Sequence, residues 1–175
     1  GVDRQRRSSP SKAAGQEHGE NLVDCRVTNM SASQYAGALS VTGGSVHIEG
    51  TSFHDSTVET GAGGAFLIID ANATILNSSL VRSRARLSVA GSSTSPRPNW
   101  NFAEGNWNFA AGGAIQVSGA GPTATAPDPP LAHLWMHECT IADSHVGGCG
   151  GALNVNNANV IMTKCTISNS VATIC

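Results

Sequence analysis

The sequence predicts an all-β fold: a parallel β-helix of about five rungs, a solenoid carrying two long loop insertions. Three observations carry that expectation. A unit of 26 or 27 residues recurs, apolar residues inside each unit sit two apart, and Asn or Asp recurs at one fixed corner of the unit. The 175 residues suit one domain with a sizeable core. Charged residues are only 13%, aromatics 5%, and Gly numbers 20, so a large aromatic core does not organise this chain.

Residues 1–20 are polar and hold the basic cluster Arg4, Arg6, Arg7 and Lys12 among Ser, Pro and Gly. They are expected to form a flexible tail ahead of the repeats at 21–175. Net charge is −2, which gives no electrostatic pull toward nucleic acid or anionic lipid. The longest apolar run, Ala65 to Ile69, falls far short of the ~20 residues of a membrane helix, so no transmembrane segment is expected.

Two motif sets alternate along the repeats. AGALSV starts at 36, GGAFLI at 63, GGAIQV at 112 and GGALNV at 150; CRVTNM starts at 25, TSFHDS at 51, SSLVRS at 78, CTIADS at 139 and CTISNS at 165. Leu39 and Val41, Phe66 and Ile68, Ile115 and Val117, and Leu153 and Val155 are pairs two apart, as a strand with one buried face requires. Val46 and Ile48, Leu134 and Met136, and Val160 and Met162 repeat the signal, and no stretch of the repeats favours a helix. A single coil cannot bury its inward row, whereas copies stacked about 4.8 Å apart bury it continuously by parallel pairing. The corner column is Asn29, Asp55, Arg82, Asp143 and Asn169, side chains that tolerate left-handed backbone apart from Arg82. The two departures from the period place insertions at about 84–111 and 119–131, both on the third rung.

The GGA(F/I/L) motifs alternating with FHDS, IADS and ISNS resemble the GGA(I/L/V) and FxxN repeats of polymorphic outer membrane proteins. More broadly, the chain resembles the right-handed β-helix proteins of the pectate-lyase-like superfamily. The resemblance covers roughly residues 22–175 outside the insertions, and it implies a right-handed coil; FHDS, IADS and ISNS end in Ser where that family has Asn. Such motifs specify architecture, so an adhesin function does not follow from them.

Cys25, Cys139 and Cys165 share a column with Thr51 and Ser78, a position that favours small, weakly polar groups. Cys139 and Cys165 are expected as buried free thiols, and Cys149 with Cys175, which form a second column, as the better disulfide candidates. Zinc is not expected, because there is no CxxC pair and the columns are not tetrahedral. His133, His137 and His145 are close in sequence but fall on different faces in this register, and no metal or other cofactor is assigned to them. The outward row of Glu49 continues as Leu76, His137 and Thr163, so the carboxylates do not stack into the facing pair that glycoside cleavage needs. An ice-binding face would want Thr ladders, and the outward row His47, Thr74, Trp135, Ile161 is mixed. Sequons at Asn29, Asn72 and Asn77 permit glycosylation in a secreted chain.

The longer insertion holds a tandem NWNFA(E/A)G with Trp100, Phe102, Trp107 and Phe109. Beside it the third rung has Leu67, Ile69 and Leu76 at outward positions, with Trp135 on the next rung. Two readings stay open. The loop aromatics fold back over these apolar residues, each contributing a few kcal/mol at roughly 25 cal/mol per Å², or the same groups anchor a partner.

The expectation is therefore a non-catalytic structural or docking module of a larger assembly or surface protein. Its partner surface would be Trp100, Phe102, Trp107, Phe109, Leu67, Ile69, Leu76 and Trp135, with other protein subunits as partners and one of them capping the C-terminal rung. The alternative is a carbohydrate-binding β-helix, or, were it an enzyme, a polysaccharide lyase or hydrolase. An extracellular, cell-surface or organelle-lumen location is favoured over the cytosol.

Overall fold

The computed structural model describes residues 19–86, 112–119 and 131–173. Over them the chain makes short strands and no helix. The first circuit is β1 (Gly19–Val23), β2 (Arg26–Thr28), β3 (Ser31–Gln34) and β4 (Leu39–Thr42); the second is β5 (Ser45–Glu49), β6 (Ser52–His54), β7 (Thr57–Thr60) and β8 (Phe66–Ile69). The third is β9 (Asn72–Leu76), β10 (Ser79–Val81), β11 (Arg84–Ala85) and β12 (Ile115–Ser118). The fourth is β13 (Ala132–His137), β14 (Thr140–Ala142), β15 (His145–Val146) and β16 (Leu153–Asn156), followed by β17 (Ala158–Thr163), β18 (Thr166–Ser168) and β19 (Val171–Ala172).

Like-placed strands pair in parallel, giving the first sheet β1-β5-β9-β13-β17, the second β2-β6-β10-β14-β18, the third β3-β7-β11-β15-β19 and the fourth β4-β8-β12-β16. The chain visits the four sheets in rotation and returns to the first, an architecture consistent with a parallel β-helix. Register agrees with the repeat: Leu39 pairs with Phe66, Phe66 with Ile115, and Ile115 with Leu153. Two boundaries differ from expectation. The first strand begins at Gly19, inside the expected tail, and Arg84–Ala85 pairs with β7 and β15, so it belongs to the rung rather than to the insertion.

Alternation places Val46, Ile48, Phe66, Ile68, Ile115, Val117, Leu134 and Met136 in the core, each at 3% exposure or less. Phe53 and Phe66 meet edge to face, ring centroids 4.6 Å apart, inside that core. Burying an aliphatic or aromatic side chain of this size stabilises by roughly 1.5–3 kcal/mol, so the inner row is the main source of cohesion. Val160, Met162, Leu39 and Val41 are only half-buried, and Val155 is exposed, because those rungs have a described neighbour on one side only.

The GGA motif has a steric cause. Gly63, Gly112 and Gly150 adopt positive φ, and the glycine after each packs onto the next rung. A Cβ on Gly64 would run into the carbonyl oxygen of Gly113, and one on Gly113 into that of Gly151. The corner column is left-handed throughout, with Asn29, Asp55, Arg82, Asp143 and Asn169 at φ of 54°, 57°, 56°, 53° and 49°. Arg82 therefore takes the same strained backbone as its neighbours. A second left-handed corner, Asp24, Gly50, Asn77, Glu138 and Lys164, closes the first sheet.

The small-polar column sits immediately after that second corner and locks it. Thr51 Oγ1 donates to Glu49 O at 2.9 Å and accepts the Cys25 N–H at 3.2 Å, one circuit of 26 residues away. Ser78 Oγ donates to Leu76 O at 2.6 Å and accepts the buried Thr51 N–H at 3.1 Å, 27 residues away. Each hydroxyl thus satisfies one orphan amide on the rung before it and adds a second hydrogen bond to a carbonyl that already accepts a backbone N–H, Glu49 O from Asp24 and Leu76 O from Gly50.

Candidate functional site

Among the described residues of the expected set, the most accessible apolar group is on the outer face of the first sheet. Trp135 pairs in register with Thr74 on β9 and Ile161 on β17. Its side chain is 48% exposed and that of Ile161 60%, so the two form an uncovered pair on a rigid strand ladder. Leu76, half-buried, lies on the same face between Glu49 and His137. Ile161 was absent from the expected surface although it shares Trp135's row; the register alone would have found it.

The fourth sheet behaves differently. Leu67 points away from the core but is 1% exposed, packed with Ala36 and Ala62 and flanked by the half-buried Ile69. The expected outward patch is corrected on this point, because the turns ahead of β4 and β8 bring their alanines onto the sheet's outer side. Gln116 and Ser118, on β12 beside Leu67 and Ile69, are buried as well, Gln116 Nε2 donating to Ser118 Oγ at 2.7 Å. Leu67 and Ile69 are thus set apart from Leu76 and Trp135, on a different sheet. Trp100, Phe102, Trp107 and Phe109 lie outside the described residues.

Cys25, Cys139 and Cys165 are free, Cys139 buried and the other two half-buried. Burial pushes the Cys139 thiol above its ordinary pKa, which suppresses its reactivity. Cys149 is disulfide-bonded; Cys175, its expected partner, lies outside the described residues.

The charged side chains pair across rungs along the corners. Arg82 binds Asp55, holding that carboxyl below the usual range through the hydrogen bond and then through charge, and Lys164 does the same to Glu138 with Nζ 3.0 Å from Oε1. His133 and His137 share β13, whereas His145 is on β15 of another sheet. His137 Nδ1 contacts Thr163 Oγ1 at 2.6 Å. Among the described residues no three His, Cys, Asp or Glu side chains are grouped to hold a metal ion, and no helix is long and apolar enough to cross a membrane. Glu49 is followed in its row by Leu76, His137 and Thr163, as the register reading has it.

These features define an all-β protein of stacked, parallel, repeated strands. No protein-family model matches the chain, and no curated protein or solved structure matches it.

Proposed function

We propose that this chain is a structural or docking module, a right-handed β-helix whose repeats resemble those of polymorphic outer membrane proteins, and that it binds a protein partner through the outer face of its first sheet. The observation that carries the proposal is the side-by-side exposure of Trp135 and Ile161, at 48% and 60%, Trp135 on a strand held by parallel pairing on both sides and Ile161 on the last strand of the same sheet. A large apolar pair on a rigid sheet loses little conformational entropy when covered, which is what an interface anchor needs. Leu76 extends this strip, and Trp100, Phe102, Trp107 and Phe109 of the third-rung insertion are proposed to add to the same interface. The disulfide at Cys149 supports an oxidising location, outside the cell or in an organelle lumen.

The test is purification of the native assembly followed by substitution. Trp135→Ala with Ile161→Ser is expected to release a stably associated protein subunit while leaving the fold's circular dichroism unchanged. An exposed Trp on a flat sheet equally suits stacking on a sugar ring, so a glycan array is run in parallel. A defined glycan bound through Trp135, with no protein partner retained, replaces this proposal with the carbohydrate-binding one.

A further inference from the structure

The outer face of the third sheet carries a hollow of about 750 Å³, a size within the range of small-molecule sites. Its geometry follows from the register. Arg84 on β11 pairs with His145 on β15, so their side chains stand next to each other on the outward face. One step further along the strands comes Arg86 on the lower rung, then Gly147 above it, then Thr173. Gly147 has no side chain, and the gap it leaves between Arg86 and Thr173 forms the floor of the hollow.

The donors around this floor outnumber the acceptors. Arg84 has no carboxylate at ion-pair distance among the described residues. Arg86 touches Glu59 only at 3.5 Å, with both side chains about half exposed, a contact of little strength. The Thr173 hydroxyl lies 3.3 Å from His145 Nε2, which holds the imidazole toward the hollow. Asp143, at the corner edge, is the one acid in the lining, and its negative charge is partly offset by Arg82 one rung below, whose guanidinium it stabilises. Two guanidinium groups, an imidazole and a hydroxyl converge on a floor without a side chain, while Asp143 faces them from the rim and Glu59 touches Arg86 from the rung below.

We propose that this hollow is a binding site for a small phosphate or sulfate ester, separate from the first-sheet surface. Arg84 and Arg86 hold the oxyanion, since a guanidinium presents paired N–H donors to a tetrahedral anion. The hydrogen-bonded pair of His145 and Thr173 supplies one further donor to its remaining oxygens, and Asp143 accepts from hydroxyl groups of the ester's organic part.

Amide-resolved NMR titration of the whole chain with inorganic phosphate, and separately with inorganic sulfate, at constant chloride ionic strength tests this. The expected result is saturable shifts centred on His145, Gly147 and Thr173, at least about tenfold weaker binding in Arg84→Gln with Arg86→Gln, and unchanged binding in Arg26→Gln, whose arginine is on the second sheet. Which of the two anions binds more tightly assigns the ester class. The proposal is overturned if neither anion produces saturable shifts, if the shifts centre on another surface, or if the double variant keeps the wild-type affinity.

Discussion

Arg82 clasps the carboxylate of Asp55 directly beneath it, Nε to Oδ1 at 2.6 Å and Nη2 to Oδ2 at 2.8 Å, across one circuit of 27 residues. The pair explains why an arginine occupies a left-handed corner otherwise filled by Asn and Asp. A non-glycine residue in that backbone region costs about 1–2 kcal/mol, and the two-point contact offsets part of it.

Acid titration follows from this pair. The folded Asp55 pKa is depressed by the Arg82 hydrogen bond, so its contribution to stability is complete above the unfolded carboxylate value, near ~4, and is lost as pH falls through the lower folded value. Arg82→Gln is expected to move the Asp55 midpoint back up in a carboxyl NMR titration. Urea unfolding should show a gap between wild type and variant at neutral pH that closes in strong acid; a gap independent of pH would contradict the assignment.

Ser78→Ala is expected to cost about 1–3 kcal/mol, because it strands the buried Thr51 amide. Ser79→Ala, on the outward face of the next strand, serves as the control and should stay within about 0.5 kcal/mol. Equal effects in urea denaturation would remove the column's structural role.

The same column shows how much the sequence makes legible. Strand alternation, the 26- or 27-residue register and the Asn29–Asp55–Arg82–Asp143–Asn169 corner are all readable, because each depends on side chains recurring at fixed spacing. The second corner escapes such reading: Asp24, Gly50 and Asn77 suit left-handed backbone, but Glu138 and Lys164 of the last two rungs do not announce it. Leu67 misleads for a related reason. Its burial depends on Ala36 and Ala62, which lie in turns, where no periodicity announces which face they cover. Trp135 was readable as outward, whereas the hollow over Gly147 is defined by an absent side chain and by pairing between distant strands.

Leu67 and Trp135 therefore separate in their effects. Leu67→Ala should destabilise by about 2–5 kcal/mol, as a truncation at a fully buried site does. Trp135→Ala, half exposed, should cost about 1 kcal/mol and act on partner binding instead. Chemical denaturation of both variants checks this, and a neutral Leu67→Ala would return Leu67 to the exposed surface.

Thiol labelling reads out the cysteine arrangement. In the native protein Cys25 and Cys165 should react well before Cys139, which is buried and whose thiol is held protonated by that burial. Denatured without reductant, the chain should yield three thiols, and five after reduction, with Cys149 and Cys175 as the pair that reduction releases. Five thiols without reduction, or Cys139 labelled first, would contradict it.

Methyl NOE spectroscopy on the intact chain tests the stacked register most directly. Leu134 on β13 has Ala73 of the preceding rung on one side and Val160 of the following rung on the other. Paired strands are about 4.8 Å apart, so Leu134 should show strong cross-peaks to both Ala73 and Val160. Cross-peaks from Leu134 to neither residue would contradict the fold and every surface assigned from it.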